Sequence, residues 1–246
     1  AQTAAASDLA ADQATAQKAV DSTISTIEDQ IGDIQDDIKA LEDIASKNPD
    51  DSDIADKLTD AKNQLTTAET ALDTAEKQKT AIEDATTPAE VAAVEKAATD
   101  AGTSASDAKD AADQDVTDAQ AKSDSNLTEA KEAADKALDQ NIADITSNIN
   151  DIQTILDDLQ QTATDNPGDT VIEKALEDAK QQLTDAKTQL ADAETQKDNA
   201  DKATTLAEMC IRDRLMLVKL TLKRQHKIWR TRKLIKRRLR NKQLQT

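Results

Sequence analysis

The groups in this chain that could do covalent or metal chemistry are few. Cys210 and His226 are its single cysteine and single histidine. A thiolate beside an imidazole can act as a nucleophile and base, or supply two ligands to a zinc ion. These two are lone residues 16 positions apart, in a segment whose origin is itself in question. The run Asp50-Asp51-Ser52-Asp53 offers carboxylates to calcium. It lacks the loop of about twelve residues, with a central glycine and a final glutamate, that wraps that ion. A solvated helix start accounts for it. Residues 1–208 contain no His, Cys, Arg or Tyr, and their only glycines are Gly32, Gly102 and Gly168. Triads, zinc sites and glycine-rich phosphate loops therefore have no material to form from. The expectation is no catalytic, cofactor-binding or metal-binding residue, no small-molecule substrate, and no enzyme activity.

What remains is architecture, and it repeats. Residues 1–90 and 119–208 align without a gap at an offset of 118, with 39 of 90 pairs identical. Asn48-Pro49 falls on Asn166-Pro167, and Gly168-Asp169-Thr170-Val171 stands where the first copy has its aspartate run. A long tandem period marks an array built by copying one supersecondary unit end to end. The sequence divides into 1–118 as a first helical repeat that starts mid-repeat, 119–208 as a second, truncated one, and 209–246 as a basic tail. A chain that opens in register with residue 119 is expected to be a fragment of a longer protein.

Within a repeat the apolar spacing is that of helices. Ile24, Ile27, Ile31, Ile34, Ile38 and Leu41 step 3, 4, 3, 4, 3, as do Ile142, Ile145, Ile149, Ile152, Leu156 and Leu159. That is a narrow heptad seam. The proline of Asn48-Pro49 ends the helix, because it disfavours a helical conformation in the residue before it. A second helix opens near Ser52, or Thr170 in the second copy. There Thr170-Val171-Ile172-Glu173 reads as a capping box. Its seam alternates leucine and alanine: Leu58, Ala61, Leu65, Ala68, Leu72, Ala75, repeated as Leu176, Ala179, Leu183, Ala186, Leu190, Ala193. A short link makes the two seams antiparallel partners, with hairpins turning at 48–52 and 166–170. Thr87-Pro88-Ala89-Glu90 starts another helix, with proline where its missing N–H costs nothing. Gly102 is the best break, so that helix is expected to be short. A weaker alanine pattern (Ala108, Ala112, Ala119, Ala130, Ala134, Ala137) then runs into the next isoleucine seam, in a helix from about 107 to 165 of roughly 90 Å. Small seam residues bury little area, so 100–135 is expected to be frayed or bendable. The fold class is all-α: tandem long-helix repeats of antiparallel coiled-coil hairpins, extended as an array.

Charge sharpens the division at Glu208. Residues 1–208 hold 17 lysines and 48 acidic residues, a net charge of 17 − 48 = −31. The tail holds 14 basic residues, including all eight arginines, together with Trp229. Composition alone would make it a nucleic-acid or anionic-membrane contact. Met209-Cys210-Ile211-Arg212-Asp213-Arg214, however, resembles the translation of a common transposase sequencing adapter. Reading the third base of each codon with the first two of the next, 228–233 leading into Leu234 can spell LADAET, the string found at 190–195. The following residues can read DKTAIE, against Gln78-Lys79-Thr80-Ala81-Ile82-Glu83 of the first copy. The tail is therefore read as an adapter followed by a third repeat out of frame. No nucleic-acid partner is expected, and Cys210 and His226 lose their claim to chemistry.

The acidic, arginine-free and cysteine-free repeat, with motifs such as Asp60-Ala61-Lys62 and Asp192-Ala193-Glu194-Thr195, resembles the repetitive stalks of Gram-positive cell-wall-anchored surface proteins, especially those of lactic acid bacteria. The resemblance covers 1–208 and is one of style. It implies a non-catalytic spacer, extracellular and anchored to the wall through flanking regions, that projects an adhesive domain. Two alternatives come from other classes. A lipid-surface protein would need a wide apolar face with interfacial aromatics, which the narrow seam lacks. An intracellular structural coiled coil would differ only in its flanks. No apolar run is long enough to span a membrane, and the helical seams offer a route to self-association.

Overall fold

A computed structural model describes residues 2–206 and 208. The basic tail 209–246, with Cys210, His226, Trp229 and the adapter-like run, lies outside the described residues. The chain is all-α: α1 (Gln2–Lys47), α2 (Ser52–Asp84), α3 (Pro88–Asp165) and α4 (Thr170–Asp201), with no strand among the described residues. It divides into two compact units, Ala1–Asn126 and Leu127–Thr246.

In the first unit α1, α2 and the first part of α3 share one core. Ile27, Ile34 and Leu41 of α1 are fully buried, and meet Ala61, Ala68 and Ala75 of α2 and Ala105, Ala108 and Ala112 of α3. Leu58, Leu65 and Leu72 flank this core half-buried. Alanine thus holds the centre and leucine the margins. A side chain of one methyl lets helix axes approach closely, and the larger isoleucines of α1 fill the space that remains. A second cluster joins Ala16 and Val20 of α1, Ile82 of α2, and Val91 and Ala98 of α3. The isoleucine seam therefore has two partners, and the alanine pattern after Pro88 is the second.

The packing of α3 corrects two expectations. There is no break at Gly102 and no short connecting helix: α3 is helical from Pro88 through Asp165. Glycine in a helix interior costs about 1 kcal/mol relative to alanine. Here it permits a close crossing, since a Cβ on Gly102 would lie 2.9 Å from Cγ2 of Thr23 on α1. Residues 100–135 are helical throughout. Residues 101–119 carry five buried alanines against the core, and beyond them α3 is held by the α1–α2 turn. Asn48, which is buried, donates through Nδ2 to the Ile44 carbonyl at 2.8 Å and to Ser123 Oγ at 2.9 Å. Asn126 Nδ2 donates to Asp51 at 2.5 Å. These contacts tie the chain as far as 126 to the first unit.

In the second unit, α3 from Leu127 onward packs with α4. Ile145, Ile149 and Ile152 meet Ala186 and Ala193, and Leu159 meets Ala175 and Ala179. Ala134 and Leu138 meet Ala200 and Ala203. The link between the helices turns at Gly168, whose φ of 82° is a left-handed conformation that glycine adopts without a Cβ clash. The start of α4 departs from the expected capping box. Asp169 is the cap, and its carboxylate accepts from the Val171 N–H at 3.0 Å. Thr170 is already the first helical residue. A carboxylate one position earlier takes the orphan amide and also suits the positive end of the helix dipole.

Candidate functional site

The aspartate run at 50–53 is the place where the sequence came nearest to a ligand site. The structure gives two of its three carboxylates folding tasks. Asp51 caps α2, accepting from the Ile54 N–H at 3.1 Å. Its other oxygen takes the Asn126 amide, and that bond, ahead of the Ile54 amide, holds its carboxyl below the usual range. Asp53 pairs with Lys122 of α3 at 3.2 Å. The run is thus a helix start docked on a neighbouring helix, more than the solvated start the sequence implied. Replacing Asp51 with alanine removes the cap and the link to α3 together, so we expect a loss of about 1–2 kcal/mol at neutral pH. Because the folded-state pKa is depressed, this contribution is present above the unfolded carboxyl value of 3.8 and is lost as pH falls through the folded one. Urea melts of Asp51→Ala and the parent chain should converge in strong acid. A constant gap would show that the carboxylate is not the source.

Other polar groups that the sequence left unassigned bridge helices. Lys57 of α2 reaches Asp115 at 3.0 Å and Asp118 at 2.8 Å on α3. The Asp118 carboxylate, then Asp115, hold the ammonium firmly protonated, and Lys57 in turn lowers Asp118. Asp115 is one of two buried polar side chains among the described residues. No spacing rule reveals this pair, because its members are 58 residues apart. A second bridge occurs in both copies. Lys79 meets Asp21 at 2.7 Å, and Lys197, at the equivalent position, meets Asp139 at 2.5 Å. Exposed pairs of this kind add little stability. They do favour one register of an antiparallel pair over its neighbours.

α3 starts at Pro88 as the sequence implied, and its first turn is closed by a reciprocal cap that the sequence reading missed. Glu90 accepts from the Thr86 N–H at 2.7 Å and the Thr87 N–H at 3.1 Å, and its own amide donates to Thr87 Oγ1 at 3.2 Å. Thr204, Thr205 and Glu208 repeat the arrangement, with bonds of 2.8 Å from Thr204 N–H to Glu208 and 3.3 Å from Glu208 N–H to Thr205 Oγ1. Leucine stands there in place of proline, so the reciprocal cap does not depend on Pro88.

Among the described residues no group of three or more His, Cys, Asp or Glu is gathered as a metal site. No described helix is long and apolar enough to cross a membrane. No family model, curated protein or solved structure matches the chain.

Proposed function

We propose that this chain is a non-catalytic spacer, a stalk segment of a bacterial surface protein that holds an adhesive domain away from the cell wall. The reading extends to architecture: each 118-residue period is one unit of a tandem array, built on antiparallel coiled-coil hairpins. The gapless repeat carries the proposal, because equivalent positions perform equivalent physical tasks in each copy. Ile27, Ile34 and Leu41 are buried, as are Ile145, Ile152 and Leu159. Asp51 and Asp169 cap the returning helix. Selection for a reaction would differentiate the copies at a few polar positions. Selection for length preserves caps, turns and cores, and leaves outer faces free to drift.

Two further features support this role. A net charge of −31 over 1–208 keeps neighbouring stalks apart and soluble. Large apolar side chains are covered, Val171 being the exposed exception among the described residues. A lipid-surface helix would present a broad apolar face instead. Small-angle scattering on chains carrying one and two added copies of 1–118 tests the spacer reading. The maximum dimension should rise by an equal increment per copy. Growth with the cube root of mass would mean that the copies collapse on one another, and the spacer role would be lost.

A further inference from the structure

We propose that Asp37 of α1 and Asp113 of α3 form a proton-operated clasp, which closes in mild acid and tightens the first unit but not the second. Asp37 Oδ2 is buried and accepts no hydrogen bond. The group that acts on it from α3 is the Asp113 carboxylate, which has no proton to donate while ionised. Two acceptors face each other across the helix interface, and one proton between them turns repulsion into a hydrogen bond.

The surroundings settle which carboxyl takes the proton. Lys109, one turn before Asp113 on α3, donates to it at 2.6 Å. That bond, ahead of all else, keeps Asp113 ionised and below the usual range. On Asp37, burial acts first, then Asp113, and Asp33 on its own helix adds repulsion; together they push its carboxyl up to about 6, with Lys109 opposing. The charged groups that act on Asp37 are Asp33 from α1 and Asp113 and Lys109 from α3. Lys109 also feels Asp33 and Asp110.

The second repeat lacks the device. At the offset of 118 the partner of Asp37 is Ile155, which packs beside Leu159, Ala175 and Ala179. A side chain that is apolar in one copy and ionisable in the other gives the first unit a pH response that the second lacks at this position. The sign follows from the direction of the shift. A carboxyl whose folded-state pKa is raised from 3.8 to about 6 contributes stability that is fully present below the unfolded value and lost as pH rises through the folded one.

Urea unfolding of the full chain, followed by isoleucine methyl NMR, reads the two units separately through Ile34 and Ile149. Between pH about 7 and about 5 the unfolding constant of the first unit should fall roughly fivefold to tenfold beyond any change in the second, allowing for solvent screening of a half-exposed carboxyl. Asp37→Asn supplies the donor permanently, so it should stabilise the first unit at neutral pH and remove this extra response. Asp29→Asn makes the same charge change at an exposed position of α1 and should keep it. If Asp37→Asn retains the parent's pH response, or if Asp29→Asn abolishes it equally, the clasp is refuted. Carboxyl carbon titration of the parent chain gives an answer even if a variant fails to fold. A midpoint near 6 for Asp37 is expected, and one in the ordinary aspartate range overturns the proposal.

Discussion

Replacing Ile34 with alanine should destabilise the first unit by about 3 kcal/mol, the middle of the range for truncating a fully buried aliphatic side chain. Ile34 has no exposed surface and sits among alanines of α2 and α3. Those neighbours end at Cβ and have no side-chain length with which to refill the space. The cavity therefore persists, and its cost adds to the lost transfer free energy. Gln35→Ala, at the exposed next position, should change stability by less than about 0.5 kcal/mol. Urea unfolding monitored by circular dichroism measures both, and methyl NMR assigns the loss to the first unit. A loss below about 1 kcal/mol at Ile34 would place the centre of the core elsewhere.

Removing the cation of the α2–α3 bridge should also be destabilising. In Lys57→Met the partner Asp115 remains 8% exposed with its cation gone. Breaking one side of a fully buried pair costs about 3 kcal/mol because an uncompensated charge is left behind, and with the Lys57 side chain 32% exposed solvent screening reduces this to about 1–2 kcal/mol. The double change Lys57→Met with Asp115→Leu should recover most of that, since two apolar groups can replace a buried pair without an orphaned charge. The same cycle separates charge from shape. If the double variant is as unstable as the single, the loss comes from disturbed packing at the α2–α3 contact. The bridge also has a defined response to acid. Asp118 is held below its usual range by Lys57 first and Gln114 second. What it contributes is therefore present above the unfolded carboxyl pKa and disappears as pH falls through the folded one.

The two experiments probe different kinds of information. Ile34 could be named from the heptad spacing alone. Its burial follows from a period that puts every third or fourth apolar residue on one face, whatever the partner. Lys57 could not be named that way. Lysine at an outer position of an acidic helix looks like any solvated charge, and only the approach of α3 turns it into the counterion of a buried aspartate. Gly102 misled for the same reason. In sequence a glycine beside Thr103 and Ser104 reads as a helix break. Against Thr23 on α1 it is the residue that leaves room for the crossing. At the start of α4 the sequence pointed to Thr170 as the cap, and the carboxylate of Asp169, one residue earlier, takes that place instead.

The sequence by itself determined what is periodic and local: the all-α class, the isoleucine and alanine seams, and the ends of helices at Asn48-Pro49, Asn166-Pro167 and Pro88. These follow from backbone sterics and from side-chain spacing along one segment, so no distant residue is needed to read them. Tertiary structure decided what depends on two segments meeting. It made α3 a full partner in the first core, carried that helix through Gly102, buried Asp115 against Lys57, and set Asp37 facing Asp113. The energy of each such contact belongs to a distance between residues far apart in the chain, and a repeat pattern carries no record of that distance.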